Sequence, residues 1–352
     1  MADEQRPIVL SLAEVEHLAA RALEASDVSR DNSIAVARSI AAAEADGAHS
    51  HGLMRVPSFC EQTLCKKIDG HARPRFLPPT SEPATHQGVL VVDACEGFAL
   101  PAIELGFGEL VPRATNNGIA ALAVTRSHNC GVVGHHVEAL AARGLVALGF
   151  ANTPAAIAPW GGKRPFFGTN PIALAAPRRS GPPLVIDQSA SVIARGEVML
   201  RAREGGSIPE GWALDRDGEP TTDARAALAG SMAPAGGYKG VGLALIVEVL
   251  AAALTGSTLS HQAPSFADTA GGPPRTGQLF IALDPAAFSS TPLADVIEQL
   301  IEAMCSEPGA RVPGVRRLAA REHARQHGVT VPRALHAEIA RRASNPSLLP
   351  TA

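Results

Sequence analysis

Two side chains spaced four residues apart, His51 and Arg55, have the types that acid–base chemistry on a carboxylate substrate requires. Histidine titrates near neutral pH and can give or take a proton during a reaction. An arginine guanidinium binds a carboxylate through two parallel hydrogen bonds. Side chains four residues apart on a helix share one face, so the spacing predicts a proton donor beside a carboxylate clamp. An ordinary surface arginine at position 55 is the alternative.

Histidines are concentrated in two segments, residues 49–51 and residues 128–136. Three roles compete for them: acid–base catalysis, metal binding, and hydrogen bonding at helix ends or in loops. Metal binding is the least favoured role, because no H-E-x-x-H motif occurs and no acidic residue stands at ligand spacing. We therefore expect no metal site. The residues alone leave the acid–base and structural roles open.

Two further segments place charged side chains at the ends of predicted elements. Asp187 ends an apolar strand, where a carboxylate can orient a catalytic histidine or cap the next helix. Gly236 and Gly237 precede Tyr238 and Lys239 at the start of an apolar helix. Backbone N–H groups and a lysine charge at this place suit an anion, and a plain tight turn is the alternative.

The usual nucleotide-binding loops are missing from the sequence. A Rossmann site requires G-x-G-x-x-G between a strand and a helix. The nearest segment, residues 106–111, lacks the third glycine and falls inside a predicted helix. No G-x-x-x-x-G-K-[ST] motif occurs either, which excludes P-loop chemistry.

Composition indicates a globular protein without a polyanionic partner. The 352 residues are 46% hydrophobic and 18% charged, with a net charge of −3. We therefore expect neither nucleic acid nor a membrane as a partner. The five cysteines form no CxxC pair, and the first seven residues lack the features of a signal peptide. The longest apolar run, residues 241–254, is too short to span a bilayer. Reduced thiols in the cytoplasm are the prediction.

Hydrophobic periodicity predicts helices at the start of the chain and an α/β region after them. Ser11 and Glu14 form a capping box for a first helix, and residues 31–45 form a second. Strands and helices alternate over residues 89–152, which is typical of an α/β layer architecture. Residues 159–183 are rich in glycine and proline and are predicted as loops and a hairpin.

The domains are predicted to be interleaved. A helical domain covers residues 1–80 and is completed by C-terminal helices within residues 290–345. A cofactor- and substrate-binding α/β domain covers residues 81–289. The Ser- and Gly-rich loop 257–276 is predicted as a lid or a subunit contact.

Several of these segments together resemble the type 2 malate/L-lactate dehydrogenase family, whose members are NAD(P)-dependent reductases. They occur in family order over roughly residues 10–330. The matching segments are Ser50-His-Gly-Leu-Met-Arg55, Ser127-His-Asn-Cys-Gly131, Phe167-Gly-Thr-Asn-Pro171, Val185-Ile-Asp-Gln-Ser-Ala-Ser191, Ile208-Pro-Glu-Gly-Trp-Ala213 and Gly236-Gly-Tyr-Lys-Gly240.

The resemblance implies a fold, an assembly and residue roles. The fold is α/β, with a non-Rossmann, predominantly antiparallel cofactor-binding sheet and a separate helical domain. The protein is a homodimer. His51 donates the proton, Ser50 and Asp187 form its relay, and Arg55, Thr169 and Asn170 bind substrate. The cofactor-binding residues are His128, Asn129, Cys130, Gly131, Thr153, Gln188, Ser189, Tyr238 and Lys239.

Two departures from the family pattern affect the cofactor contacts. The family usually has histidine where this chain has Tyr238. It also usually has an Ala-Thr-Ser run after the aspartate, where this chain has Ser189-Ala190-Ser191.

The family includes enzymes for several small carboxylates. Residues 130–136 and 201–205 look more like the branch that reduces cyclic 2-imino acids. We therefore expect reduction of Δ1-pyrroline-2-carboxylate to L-proline and of Δ1-piperideine-2-carboxylate to L-pipecolate. The cofactor is NADPH or NADH, with NADPH favoured. One alternative is a 2-hydroxy acid dehydrogenase of the malate, lactate, sulfolactate or ureidoglycolate type. Another is a metal-binding or non-catalytic protein on the same scaffold.

Overall fold

The computed structural model describes residues 7–78 and 87–344, which form twelve strands and eleven α-helices. The strands are β1 (Ile8–Leu10), β2 (Arg75–Phe76), β3 (Val89–Asp93), β4 (Ile119–Ser127), β5 (Val146–Ala151), β6 (Ile172–Ala176), β7 (Leu184–Gln188), β8 (Ala213–Leu214), β9 (Pro220–Thr221), β10 (Ser231–Met232), β11 (Thr276–Leu283) and β12 (Val329–Val331). The helices are α1 (Leu12–Glu24), α2 (Arg30–Ala45), α3 (Val56–Leu64), α4 (Ala99–Asn117), α5 (Val133–Ala141), α6 (Arg195–Glu204), α7 (Ala224–Ala229), α8 (Tyr238–Val247), α9 (Leu293–Cys305), α10 (Val315–His327) and α11 (Arg333–Ser344).

A mixed seven-stranded sheet forms the centre of the described structure, in the order β2-β3-β4-β11-β5-β6-β7. The β3–β4 pair is parallel, and the other neighbouring pairs in this sheet are antiparallel. The predicted alternation of strands and helices over residues 89–152 is confirmed, and so is the α/β class. The late strand β11 inserts between β4 and β5, which makes both of its pairings antiparallel.

Helices cover both faces of this sheet, because successive side chains on a strand point to opposite sides. Leu122 and Phe280 point to one face, where they pack with residues of α4 and α5 such as Leu110 and Val137. Their neighbours on the strands form a second cluster with apolar side chains from the end of α8 and the turn after it: Ala123, Phe150, Val247, Ala251 and Leu279.

The first three helices pack with α11 and one turn of α10 around a separate group of buried side chains. Leu23, Ile40, Leu53, Ala324 and Ile339 belong to this cluster. Strand β1 pairs with β12, so both ends of the described chain meet there. The predicted capping box is confirmed, because Ser11 accepts from the Glu14 N–H and the Glu14 carboxylate accepts from the Ser11 N–H. Helix α9 lies elsewhere, since Arg178 after β6 pairs with Glu298.

Two local features differ from the sequence expectations. Residues 172–176 form strand β6 inside the stretch predicted as loops and a hairpin, and β6 pairs with β7. The apolar helix over 239–254 changes into a π-helical segment, Glu248–Ala253. Such segments often occur beside functional sites. None of the helices within residues 7–78 and 87–344 is long and apolar enough to cross a membrane.

A buried carboxylate ties the helical cluster to the sheet. Asp46 follows α2 and accepts hydrogen bonds from His135 at 2.8 Å and from Arg321 at 2.7 and 2.9 Å. Arg321 also donates to Glu138 on α5. Burial alone would raise the pKa of Asp46, but the bonds from His135 and Arg321 outweigh it and hold that pKa at about 2. The ion pairs thus join α2, α5 and α10.

We predict that Asp46→Asn lowers the free energy of unfolding by about 2 kcal/mol, because His135 and Arg321 lose their buried charged partner while the partly exposed Arg321 keeps its ion pair with Glu138. The wild-type contribution is present above pH 3.8 and lost as pH falls towards 2, because the folded pKa is lowered. Urea unfolding at pH 7 measures the loss. Asp217→Asn, in an exposed turn, is the control and should change stability by less than about 0.5 kcal/mol. Equal effects of the two substitutions would contradict the assigned role of Asp46.

Candidate active site

A buried glutamate sets the geometry of the segment that carries His51 and Arg55. This segment makes two consecutive 3-10 turns, His49–His51 and Leu53–Arg55, before α3 begins. Glu44 accepts from the Leu53 N–H at 2.7 Å, and its other oxygen lies 2.6 Å from Nδ1 of His49. Gly52 lies against this carboxylate, since a Cβ at position 52 would be 2.1 Å from Oε1 of Glu44. Glu44 and Gly52 together fix the turn.

The turn opens into a cavity of about 250 Å³, called here the substrate cavity. Ser50, His51 and Arg55 line one side of it. The other lining residues come from loops at the edge of the sheet, the start of α6 and the loop before β11: Asn129, Thr153, Pro154, Ala155, Ala156, Thr169, Ala194, Arg195, Gly196, Met199, Ala263, Ser265, Phe266 and Ala267. No aspartate or glutamate is among them, so the lining carries positive charge only.

Arg55 is a partly buried cation without an ion-pair partner among the described residues. One of its Nη atoms donates to the Phe266 carbonyl at 3.1 Å, and its guanidinium lies 5.1 Å from the ring centroid of Phe59. Burial, followed by the charge of Arg203, lowers its pKa to about 10, so it stays charged at neutral pH. A charge removed from water in this way requires a partner, and a substrate carboxylate in the cavity would supply one.

His51 is neutral in this environment. Burial lowers its pKa to about 4, and the charges of Arg55 and His135 act in the same direction. Within the described chain its ring makes no hydrogen bond. Ser50 lies beside it at the cavity wall, against the first turn of α6, since a Cβ at Gly196 would be 2.6 Å from the Cβ of Ser50.

A second cavity of about 270 Å³, called here the cofactor cavity, adjoins the first. His51, Asn129, Thr153 and Thr169 line both cavities, so the two are continuous. The second cavity lies at the sheet edge where β4, β5 and β7 end. It brings together predicted residues from three segments: Asn129, Cys130, Gly131, Thr153, Asp187, Gln188 and Ser189.

Asp187 lies in the cofactor cavity together with His51. Its carboxylate accepts from the Gly134 N–H at 2.7 Å at the start of α5. Asp187 keeps an exposed surface, but the protein packed around its carboxyl group removes water from it and so raises its pKa, and the hydrogen bond from Gly134 opposes the shift. No hydrogen bond joins Asp187 to His51 in the described chain, so the predicted relay stays a prediction.

Four of the predicted residues line neither of these two cavities. His128 is buried against the rings of Phe59, Phe98 and Phe266, and neither of its ring nitrogens has a partner in the part of the chain that the structure describes. Burial lowers its pKa well below the usual value. Its ring centroid lies 4.7 Å from that of Phe266, which lines both cavities. His128 therefore supports the wall of the site from behind.

Asn170 also lies behind the wall, because its amide is occupied by internal hydrogen bonds. Its nitrogen donates to the Ala244 carbonyl and to Glu248, both at 2.9 Å, and its oxygen accepts from the Thr153 N–H at 3.1 Å. Glu248, the first residue of the π-helical segment, also accepts from the N–H and hydroxyl of Ser260. Asn170 thus positions Thr153 rather than facing the cavity, which differs from the expected substrate contact.

Tyr238 and Lys239 begin α8 away from both cavities. The Tyr238 side chain is exposed and packs edge-on against Trp160, with ring centroids 6.0 Å apart. Neither residue lines the cavity that gathers the other predicted cofactor residues. The sequence analysis expected Tyr238 and Lys239 to bind the cofactor, but in this chain both lie outside the cofactor cavity.

Sequence reasoning predicted the loop before β11 as a lid or a subunit contact but assigned none of its residues to the site. Ala263, Ser265, Phe266 and Ala267 line the substrate cavity. Side chains from α3 and the turn after it bind this loop through its carbonyls: Gln62 donates to Phe266, and buried Lys67 donates to Asp268 and Ala270. The Ser- and Gly-rich composition indicated a functional loop. No local sequence pattern could predict that Gln62 and Lys67 bind its carbonyl groups, because these residues are about 200 positions away in the chain.

A third cavity, of about 450 Å³, continues from the cofactor cavity and was also missed. Val132 and Asp187 line both. The third cavity has a basic rim at the N-terminus of α10, formed by Arg311, Arg316 and Arg317. The sequence did contain a signal for it, because Pro313 and Gly314 precede the helix start and Arg316 and Arg317 follow in its first turn, which is typical of an anion-binding helix N-terminus. Arg126, a further arginine near the end of β4, is paired with Asp93 on the neighbouring strand β3.

Metal binding finds no support in this arrangement. Within the described ranges, no group of three or more histidine, cysteine, aspartate or glutamate side chains is placed to hold a metal ion. His135 and His136 point to different partners, the Asp46 carboxylate and the Cys130 carbonyl.

Comparison with known proteins identifies the family. A family model described as malate/L-lactate dehydrogenase matches residues 10–340. The chain belongs to this family. The resemblance inferred from the motifs is therefore confirmed, and the protein is an oxidoreductase.

The relatives cover nearly the whole chain. The (2R)-3-sulfolactate dehydrogenase (NADP(+)) of Chromohalobacter salexigens is 48% identical over 94% of this chain and 97% of its own length. A Δ1-pyrroline-2-carboxylate reductase of Ancylobacter novellus is 42% identical over 95% and 97%. The crystal structure of a Δ1-piperideine-2-carboxylate reductase from Pseudomonas syringae has a TM-score of 0.88, with 35% identity over 95% of this chain and 99% of the other. The chain therefore shares the α/β fold of this malate/L-lactate dehydrogenase family.

We predict that Gly52→Ala lowers kcat/KM by about 10²-fold, because the new Cβ must displace the Glu44 carboxylate and with it the His51–Arg55 turn. Steady-state kinetics on folded protein measures this loss. Gly108→Ala on α4 is the matched control, since a Cβ there meets nothing within 4 Å, and it should leave kcat/KM unchanged. Wild-type kinetics for Gly52→Ala would show that the turn does not depend on Glu44.

Proposed function

We propose that this chain is an NAD(P)H-dependent reductase of small 2-imino and 2-oxo carboxylates, with cyclic 2-imino acids as substrates. The substrates are Δ1-pyrroline-2-carboxylate and Δ1-piperideine-2-carboxylate, and the products are L-proline and L-pipecolate. The observation that carries the proposal is Arg55, a partly buried guanidinium without an ion-pair partner among the described residues, in the same cavity as His51. Relatives named for both imino acids support the choice of substrates.

The residues of the cofactor cavity fit a nicotinamide dinucleotide. Asn129, Gln188 and Ser189 offer amide and hydroxyl groups, the chemistry that a nicotinamide amide and a ribose require. The adjoining third cavity adds Arg311 and Arg316 beside the N-terminus of α10, which suits phosphate groups. NADPH is favoured over NADH because it carries one more phosphate. Arg311 and Arg316, which form no ion pair among the described residues, are available to bind that phosphate. A relative named as NADP(+)-dependent supports this preference.

The proposed mechanism assigns one task to each side chain. Arg55 binds the substrate carboxylate and so holds the C=N or C=O group beside His51. The bound reduced nicotinamide supplies the hydride. His51 donates the proton to the substrate nitrogen or oxygen, with Ser50 and Asp187 as its relay. Because the carboxylate offsets the charge of Arg55, its binding raises the pKa of His51 and favours the protonated ring. Thr153 and Thr169 lie where the two cavities join, which is the place that this mechanism assigns to the reacting groups.

We propose the same division of the chain that the sequence predicts. The mixed sheet is the cofactor-binding unit, of a type other than Rossmann, and a separate helical domain comprises residues 1–80 with C-terminal helices. The shared cluster of α1, α2, α3 and α11 supports this division. Helix α9 is the exception, because Glu298 binds Arg178 of the sheet region.

We propose a cytoplasmic homodimer. An exposed apolar surface on α8 and the π-helical segment supports the dimer, because apolar patches of this kind mark interfaces. It includes Leu245, Ile246, Val249 and Leu254. The five free cysteines fit a reducing compartment. Light scattering of purified protein tests the dimer.

A second candidate function is oxidation of a 2-hydroxy acid with a further acid group, of the sulfolactate type. Two observations favour it: the relative at 48% identity carries that name, and a second arginine, Arg195, lines the substrate cavity.

We predict that the protein reduces both cyclic imines with NADPH, and that His51→Ala lowers this rate by about 10²-fold or more while cofactor binding persists. A panel of cyclic imines, pyruvate and oxaloacetate with NADPH and NADH measures the first part. Cofactor fluorescence titration is the control for the second. Near wild-type turnover by His51→Ala would overturn its role, and absence of reduction across the panel would overturn the proposed function.

We predict that kcat/KM for reduction falls about tenfold per pH unit between pH 5.5 and 8, because free His51 has a pKa of about 4 and must gain a proton. A 2-oxo acid is the substrate, since its charge stays constant over this range. Oxidation of the corresponding hydroxy acid should show no such decline, because His51 is already in its basic form. A reductive profile that is flat below pH 6.5 and bends there would contradict the lowered pKa.

A further inference from the structure

A separate cavity of about 420 Å³ lies between α2, α4 and α5 and is called here the helix cavity. None of its lining residues lines the substrate cavity, the cofactor cavity or the third cavity. Each helix contributes one face to it. The lining residues of α4, for example, are Leu100, Ile103, Glu104 and Phe107, at the spacing of neighbours on one side of a helix.

The floor of the helix cavity is apolar, and its rim carries charges of both signs. Ile103 and Phe107 are buried, whereas Glu104 on α4 and Arg143 after α5 are exposed. Glu104 and Arg143 form no ion pair among the described residues. Arg38, a second cation of the rim, lies 3.8 Å from Glu16. The rim therefore presents an unpaired cation and an unpaired anion above an apolar surface.

This combination matches the chemistry of a small amino acid in its zwitterionic form. A carboxylate binds a guanidinium such as that of Arg143 through two parallel hydrogen bonds. An ammonium group suits Glu104, and an apolar side chain of the ligand removes Ile103 and Phe107 further from water. A simple anion would leave the charge of Glu104 without a partner, and a simple cation would do the same to Arg143. The volume lies within the range of roughly 300–1,000 Å³ that is typical of small-molecule sites.

The helix cavity and the cofactor cavity lie on two sides of one wall. His136 lines the helix cavity, and its Nε2 lies 2.8 Å from the carbonyl oxygen of Cys130, a residue of the cofactor cavity. Ser39 of the helix cavity lies against Gly131 of the cofactor cavity, since a Cβ at position 131 would be 2.8 Å from the Ser39 Oγ. At both places, residues in direct contact separate the two cavities.

The first turn of α5 belongs to the same wall. Gly134 donates its N–H to Asp187 of the cofactor cavity at 2.7 Å. His135 lines the helix cavity, and its Nε2 lies 2.8 Å from an oxygen of the buried Asp46 carboxylate. A ligand that contacts the two histidines of this turn therefore restrains the wall that a cofactor contacts from the other side.

We propose that the helix cavity is an effector site for a small amino acid with an apolar side chain, and that its occupation tightens cofactor binding. Arg143 binds the carboxylate of the amino acid, and Glu104 binds its ammonium group. The effect on the cofactor rests on the proposed place of the cofactor beside Cys130 and Gly131. Neither the site nor its effect depends on which substrate is reduced at His51.

Calorimetry with L-leucine tests the site in the enzyme saturated with NADPH and oxalate, which occupy the other cavities. Saturable binding of L-leucine is expected. Two analogues, 4-methylpentanoate without the ammonium group and 3-methylbutylamine without the carboxylate, should each bind at least about fivefold more weakly, as expected for loss of one partly exposed ion pair. Absence of L-leucine binding, or an analogue that binds as tightly as L-leucine, would overturn the proposal.

Two substitutions on the rim locate the bound amino acid. Arg143→Gln should weaken binding of both L-leucine and 4-methylpentanoate about fivefold, because both carry the carboxylate. Glu104→Gln should weaken L-leucine binding by a similar factor without weakening that of 4-methylpentanoate. Glu109→Gln is the matched control, because Glu109 is exposed on the same helix and lies outside the helix cavity. Unchanged L-leucine affinity in both rim variants would place the amino acid elsewhere and overturn the assignment.

Fluorescence titration with NADPH, with oxalate present throughout, measures the effect on the cofactor. Saturating L-leucine should lower the Kd of NADPH at least about fivefold, and NADPH should raise the affinity for L-leucine by the same factor. Arg143→Gln should require about fivefold more L-leucine for the same change. A Kd of NADPH that does not fall would overturn the effector role. Failure of the proposed function would instead appear as absence of reduction across the substrate panel, which leaves both binding measurements intact.

Discussion

A guanidinium partly buried beside a neutral histidine is the constraint on which the site depends. Arg55 keeps its charge in a cavity that no acidic side chain of the described residues lines, and burial together with this charge holds the pKa of His51 at about 4. The positive charge of Arg55 is not balanced by a side chain of the described residues. An anion in the cavity therefore balances this charge and, by doing so, raises the pKa of His51. Binding of the anion and protonation of His51 are therefore thermodynamically coupled.

The surrounding structure keeps this incomplete pair in place by hydrogen bonds to other buried groups. Glu44 on α2 fixes the turn, and Glu248 fixes the opposite wall through Asn170 and Ser260. Neither carboxylate lines the cavity, so both act as supports without neutralising its charge. Lys67 holds the loop that closes the wall. Acidic groups therefore stand behind the walls, and the cavity itself keeps a positive field.

Local sequence patterns predicted the elements well, because periodicity and caps act within a few residues. They also predicted functional roles for His51, Arg55 and Asp187, and these three residues line connected cavities. Patterns could not predict which way each motif residue faces. His128 and Asn170 sit in matching motifs but point into the protein, and Tyr238 is exposed. Arg195 and Phe266 were missed because long-range packing brings them to the cavity. The place of β11 between β4 and β5 is likewise a non-local outcome.

The most direct test of the central claim is an NMR titration of the His51 ring, assigned by comparison with His51→Ala, in the enzyme saturated with cofactor. The titration is run without and with oxalate, a carboxylate that the enzyme cannot reduce. The account predicts a pKa far below the ordinary 6.5 in the absence of oxalate and a clear rise when oxalate binds Arg55. A pKa near 6.5 that oxalate does not change would contradict it.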